Sequence, residues 1–338
     1  MKARRAKLQV IYDNHDITAD LHPHLISWTH TDNLSGQADD LQITVEDKER
    51  KWSGPWMPEE GAVLRAKVIR ENWEQDGKTD YLSLGQFEID GIEISFPPSA
   101  VTIKAISVPE SSSLRGEPKN RAWEKTKLSV IAGDKAKKSG LKLFFDAEDV
   151  EYDRIEQTEE TDLVFLMRLC NDAGLCLKIT DKQLVIFDEE KYESRPAIDT
   201  IKRDAPSIKS FRTRLTTQGA YRACRVEYQS PKKKKKVSYT YTPPSAPKTG
   251  RTLYVNQRVT SIGEAQRLAR KKLREANKDT SVASVVMIAN NVYVAGHTVN
   301  LKDFGQRIDG KYIITQITRS QGSGYEMAME LRRCLEGY

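Results

Sequence analysis

The residues that could do chemistry in this chain of 338 are five histidines, four cysteines, several carboxylate runs and one run of lysines. His22-Pro23-His24 with His30 has the composition of a partial metal site. Pro23 stiffens the pair, however, and neither a cysteine nor a second carboxylate completes a ligand set, so turn or surface histidines are expected and no metal. Asp13-Asn14-His15-Asp16 has the acidity of a calcium loop without its glycine or its terminal glutamate, and reads as a turn. Glu156 to Glu160 and Asp188-Glu189-Glu190 flank periodic segments as solubilising ends do. Acid pairs of the glycosidase kind converge only in space, so a cell-wall hydrolase stays open as an alternative for which the sequence nominates no particular acid. GxSxG, HExxH and Walker patterns do not occur. Cys170, Cys176, Cys224 and Cys334 form no CxxC pair and each sits in an apolar or alternating segment, which predicts buried free thiols and synthesis in a reducing cytoplasm. Lys232, Lys233, Lys234, Lys235 and Lys236 are the sharpest polar feature. They could contact nucleic acid or an acidic partner. Flanking prolines and the lack of an aromatic stacking platform in the run favour a solvated loop instead, and nucleic acid is not an expected partner. No cofactor is implied.

The elements that would position these residues are mostly strands. Residues 8 to about 108 alternate in short runs, among them Leu41-Ile43-Val45, 62 to 69, 82 to 89 and 101 to 106, with turn chemistry at Asn33 to Gly36, Gly54-Pro55, Asp76-Gly77 and Pro97-Pro98. The period then changes. Thr126 is placed to cap a helix carrying Leu128, Val130, Ile131 and Ala136 that ends near Ser139-Gly140. Thr161 caps a second helix with Asp162 in its first turn, where the helix dipole favours a negative charge. Gly174 stops it, and 175 to 179 and 184 to 187 form a hairpin. Strands return at 207 to 216 and 221 to 228, followed by the lysine run and Pro243-Pro244-Ser245-Ala246-Pro247, a stretch that cannot bury a core. The capping box Ser261-Ile-Gly-Glu264 launches a helix, and the remaining segments to 331 are again strands. Trp28, Trp52, Trp56, Trp73 and Trp123 are expected in packing or interfaces. Hydrophobic content of 38% with 30% charged residues describes a globular protein with a charged surface, and the net charge of +6 nearly vanishes once the five-lysine run is set aside. The start MKARRAKLQVIYDN is basic but has no signal-length apolar stretch, and no window approaches a membrane span, so no membrane anchoring is expected.

The order of segments resembles a known family: the phage late control protein D group, tail hub proteins of contractile-tail baseplates, whose fold also forms the hub portion of type VI secretion spike proteins. The resemblance is carried by SWTHTDNLSGQADDLQITVED, WMPEEGAVLRAKV, GQFEIDGIEISFPPSAVTIKAIS, RAWEKTKLSVIAG, TDLVFLMRLCNDAGLCLKI, SIGEAQRLARKKL, AGHTVNLKDF, DGKYIITQITRS and YEMAMELRR, in that order. It implies an α+β, mostly β protein with two small β-barrel hub domains and an inserted α+β domain, assembled as a homotrimeric ring with pseudo-sixfold symmetry. The expected division is 1–112 and 201–338 for the barrels and 113–200 for the insert. The last part carries one helix (261–277) and a Lys/Pro-rich loop (230–250). The implied role is structural and non-enzymatic, adapting a hexameric tail tube to a trimeric spike. Tail tube protein, spike protein and other baseplate proteins are the implied partners. The implied location is the virion baseplate or a phage-like particle, made in the cytoplasm and released from the cell. Because the chain ends at Tyr338, after the hub-like segment, a separate spike protein is expected. Interface contacts are expected from the strands bearing Leu41, Ile43 and Val45; Val63, Arg65 and Lys67; and Tyr325, Met327, Met329 and Leu331. The lysine run is not part of the family pattern.

Overall fold

A computed structural model describes residues 2–73, 75–108, 114–217, 219–229, 236–259, 261–335 and 337. It divides into two compact units. The first contains residues 1–189, 286–295 and 315–329, and the second 190–285, 296–314 and 330–338.

The first unit opens with β1 (Arg5–Tyr12), β2 (His15–Asp16), a single helical turn α1 (Thr18–Leu21), β3 (Leu25–Asn33), β4 (Asp40–Glu46), β5 (Val63–Glu71), β6 (Thr79–Ser95) and β7 (Ala100–Ile106). They form an antiparallel sheet in the order β3–β4–β7–β6–β5–β1–β2. The alternation that predicted these strands also fixes their register. Ile43 stands opposite both Trp28 and Ile103, and Val10 opposite Ala66, so Trp28, Leu8, Val10, Leu41, Ile43, Val45, Leu64, Val68, Val101 and Ile103 share one buried face. As hydrogen-bonded, this sheet is an open path ending at β2 among the described residues and not a closed cylinder.

An α+β body follows: β8 (Lys119–Lys127), α2 (Leu128–Lys138), β9 (Lys142–Asp146), β10 (Glu151–Glu160), α3 (Asp162–Ala173), β11 (Cys176–Thr180) and β12 (Gln183–Phe187). Its core is its own, with Leu128, Ile131, Ala132, Phe165, Leu166, Leu169, Leu184 and Ile186 packed together and Trp123 stacked on Phe165 at 5.1 Å. Each of the Leu, Ile and Phe side chains contributes about 1.5–3 kcal/mol on burial. Thr161 caps α3, its hydroxyl accepting from the Val164 amide at 3.3 Å, and Gly174 ends it at φ 70°. The cap expected at Thr126 is not there. Thr126 lies inside β8 opposite Tyr152 of β10, which commits its backbone to a ladder, and Lys127 takes the cap position without a side-chain bond. Asp149 does the capping from a distance, accepting from the Ser129 amide at 3.0 Å.

The second unit contains α4 (Glu189–Ser194, from its second residue), β13 (Asp199–Lys202), β14 (Ile208–Leu215), β15 (Tyr221–Gln229), β16 (Lys236–Tyr241), β17 (Arg251–Val255), α5 (Ile262–Asn277) and β19 (Thr298–Lys302). Strands β18 (Ser281–Ile288), β20 (Gly310–Gln321) and β21 (Tyr325–Arg333) contribute residues to both units. Ser261 caps α5 as its capping box predicts, and Ala265, Ala269 and Leu273 pack on Cys224, Val226 and Val237 of the β16–β15–β17 sheet. Asn277 pins the helix end to β15, accepting from the Tyr221 amide at 2.8 Å and donating to its carbonyl at 2.7 Å.

Candidate assembly surface

Alternation along a strand decides which side chains a partner could touch. On β4, Leu41, Ile43 and Val45 are buried within the chain, and Gln42, Thr44 and Glu46 occupy the other face. On β21, Tyr325, Met327, Met329 and Leu331 are likewise buried, leaving Glu326, Ala328 and Glu330 outward. On β5 the expected residues do point outward. Arg65 donates to Gln86 (3.2 Å) and Asn14 (3.1 Å), and the Lys67 ammonium lies 5.1 Å over the Tyr81 ring. The ten side chains named from sequence thus fall into two sets: three on the surface, and seven in the core of strands whose alternate residues are the accessible ones.

Tyr325 has a positional role instead. Its ring meets Trp28 at 5.7 Å and Trp73 at 6.1 Å, its hydroxyl bonds Asn291 at 3.2 Å, and burial pushes that hydroxyl up to about 12. Beside it, Arg70 makes a two-pronged pair with Asp80 (2.8 and 2.5 Å), a geometry that fixes side chains as well as charge.

The α+β body is fastened to the first sheet by Lys178 of β11. Its ammonium pairs with Asp32 of β3, lies 3.1 Å from Asp39, and donates to the Asn33 carbonyl at 2.6 Å. Ser35 and Ser107 complete the seam. The Leu177 amide donates to Ser35 Oγ at 3.0 Å, Ser107 Oγ donates to the Ile179 carbonyl at 2.9 Å, and the Asp39 amide donates to Ser107 Oγ at 2.9 Å. Two carboxylates share one cation here, and they separate in acidity. Burial raises Asp39 to about 6 despite Lys178, with Asp32 adding to the rise. Burial also opposes ionisation of Asp32, but Lys178's charge and hydrogen bond outweigh it and hold its carboxyl below the ordinary carboxylate pKa. His30, next along the buried face at 5.7 Å from Phe87, is pushed by burial down to about 3, with Arg319 and Lys178 adding to the fall and Asp32 opposing it.

An open hollow of about 290 Å³ lies in the first unit, lined chiefly by apolar residues including Val10, Leu21, Ile43, Trp52, Trp56 and Met57. Tyr12 and Asp20 are the polar side chains in its lining. His24 is absorbed in the same aromatic group, edge-on to Trp52 at 6.2 Å and to Trp56 at 6.0 Å. Among the described residues no group of three or more His, Cys, Asp or Glu is placed to hold a metal ion. Asp13 and Asn14 form the left-handed β1–β2 turn. Glu160 is clamped by Arg168 at 3.0 Å. All four cysteines are free; Cys170 and Cys224 are buried, Cys176 and Cys334 half-buried. Lys232, Lys233, Lys234 and Lys235 lie outside the described residues, and Lys236 opens β16.

The Lys178 seam and the Arg70–Asp80 pair were not visible in sequence. Lys178 and Asp32 are 146 residues apart. The available signal was a lysine between Leu177 and Ile179 in an otherwise apolar hairpin, a position where a charge must be paired.

In the first unit one sheet face is sealed, and the α+β body is latched to that sheet by Lys178 and the seam around it. The chain belongs to the family described as phage tail baseplate hub (GPD), which matches residues 101–323. A curated relative, the probable baseplate hub protein of Escherichia phage 186, is 28% identical over 177 residues, covering 52% of this chain and 43% of the relative. The match thus spans less than half of that relative's length. Among solved structures, the 43 kDa tail protein of prophage MuSo2 from Shewanella oneidensis superposes with a TM-score of 0.74 at 15% identity, covering 98% of this chain and 99% of that one. A component of the E. coli type VI secretion system, described as structurally similar to bacteriophage T4 tail proteins, gives 0.56 at 12% identity over 99% and 78%. At these identities the two structures speak to the fold.

Proposed function

We propose that this chain is the structural hub of a contractile phage tail or phage-like particle. On this reading it forms a homotrimeric ring of barrel-like hub domains that adapts a hexameric tail tube to a trimeric spike, with other baseplate proteins around it. The observation that carries this is the baseplate hub family match across 101–323, within a fold shared along nearly the whole chain with a prophage tail protein. The use of the polar clusters supports it. Two acids at the start of α3, Glu160 and Asp162, are engaged in ion pairs with Arg168 and with Lys119 and Lys135. The three-part division at 112/113 and 200/201 belongs to the same proposal, the α+β body being the inserted domain. So does the location, in the baseplate of a released particle. Barrel closure and the ring would also protect sheet edges that a lone chain leaves open.

The test is the mass of the full chain in solution, alone and with purified tube and spike proteins, together with negative-stain images. A trimer seen as a three-fold ring is expected. A stable monomer that also fails to trimerise with either partner overturns the reading.

A further inference from the structure

The two units carry opposite charge. The second holds 28 Lys and Arg against 12 Asp and Glu, a balance of +16, whereas the first holds 26 against 36, a balance of −10, and together they give the chain's +6. The lysine run accounts for only part of this, since without Lys232 to Lys236 the second unit still stands at +11. Its charge reaches solvent on regular elements: Arg212 and Arg214 are exposed on β14, and Arg267 is exposed on α5. Exposed acids of the first unit include Glu59, Glu60 and Asp90. Like units repel one another, and opposite ones are drawn together and oriented by their fields. Such a pair of surfaces disfavours first-to-first and second-to-second contacts. In a trimeric ring, where every contact is heterologous, it favours the second unit of one copy meeting the first unit of the next.

We propose that copies of this chain assemble head to tail by charge complementarity, the basic second unit of one copy docking on the acidic first unit of the next. This rests on the trimeric hub reading and names the surfaces and the force that would build the ring.

Sedimentation velocity of the full chain at about 50 mM and about 1 M NaCl tests it, since screening at the higher salt shrinks the reach of charge to roughly 3 Å. Association at least roughly tenfold weaker at high salt is expected. The same loss at low salt is expected for Arg212→Glu/Arg214→Glu/Arg267→Glu, and separately for Glu59→Lys/Glu60→Lys/Asp90→Lys, with melting temperatures unchanged. A trimer indifferent to salt and to both variant sets overturns the proposal while leaving the hub reading standing. A chain that stays monomeric at low salt also overturns it, and co-assembly with tube and spike proteins then decides the hub reading separately. If that monomer binds a short double-stranded DNA and the arginine variants lose the binding, the basic unit serves a polyanion instead of a second copy.

Discussion

Losing Lys178 should destabilise the first unit. Its ammonium is mostly buried and balances two carboxylates contributed by β3 and the loop before β4. Removing one member of a buried ionic group strands the others, at a cost of about 3–5 kcal/mol. Lys178→Met, which keeps the side-chain length, should lower stability by that order in urea unfolding, and Lys178→Met/Asp32→Asn/Asp39→Asn should recover much of it. The same cluster sets a signed pH dependence. Buried His30, at about 3 against an ordinary 6.5, contributes stability that is full above 6.5 and is lost as pH falls toward 3, because only the unfolded chain takes up the proton. Asp39, at about 6 against 3.8, does the reverse: its contribution is full below 3.8 and is lost as pH rises through 6. Between about pH 6 and about pH 4 the two slopes oppose, each at most roughly 1.4 kcal/mol per pH unit. Relative to the parent chain, His30→Phe should therefore gain stability on acidification across this window and Asp39→Asn should lose it. Urea midpoints at several pH values check both, and parallel curves for the three proteins would contradict the assignment.

At the scale of elements, Thr161 and Asp162 are adjacent in sequence and should differ sharply in cost. Thr161→Ala removes one capping bond at the start of α3, about 1 kcal/mol. Asp162 reads from sequence as a first-turn acid favoured by the helix dipole, and in the structure its side chain is 1% exposed and pairs with Lys135, itself 2% exposed, and with Lys119 at 2.7 Å. Asp162→Ala should thus cost about 3–5 kcal/mol by leaving Lys135 buried and unbalanced, and near-equal denaturation midpoints for the two variants would refute this. What was legible here followed from local chemistry: the Thr161 cap, the Gly174 stop, the 176–187 hairpin and the capping box of α5. What was not legible was the ribbon of β8 and β10, KNRAWEKTK paired with EYDRIEQTEE, because both strands face solvent along most of their length and carry charge where alternation would show apolar residues. Missing that ribbon is also what misplaced the cap of α2 at Thr126. The residues named on β4 and β21 lie buried within the chain for a related reason: the apolar residues that reveal a strand are the ones it buries.

At the scale of the whole molecule, the opposition of charge was hidden by the order of the chain. The units interleave in sequence, with 286–295 and 315–329 returning to the first, so a total of +6 conceals +16 and −10. That total made the lysine run look like the whole basic signal, and a test can separate the two. Replacing Lys232 to Lys236 by Ser leaves the second unit at +11, still opposite to a partner surface at −10. If charge spread over the unit drives assembly, this variant should still form the trimer at low salt, with its dissociation midpoint moved to lower salt than that of the parent chain. If the run alone drives assembly, trimer is lost at every salt concentration. If instead the run is a nucleic-acid contact, assembly is unchanged and salt-dependent retention of DNA by the parent chain disappears in the variant. Mass photometry across a salt series, with and without a short duplex, distinguishes the three. The distributed charge on β14 and α5 predicts the first outcome, because five of sixteen excess charges are too few to carry a field that eleven others still maintain.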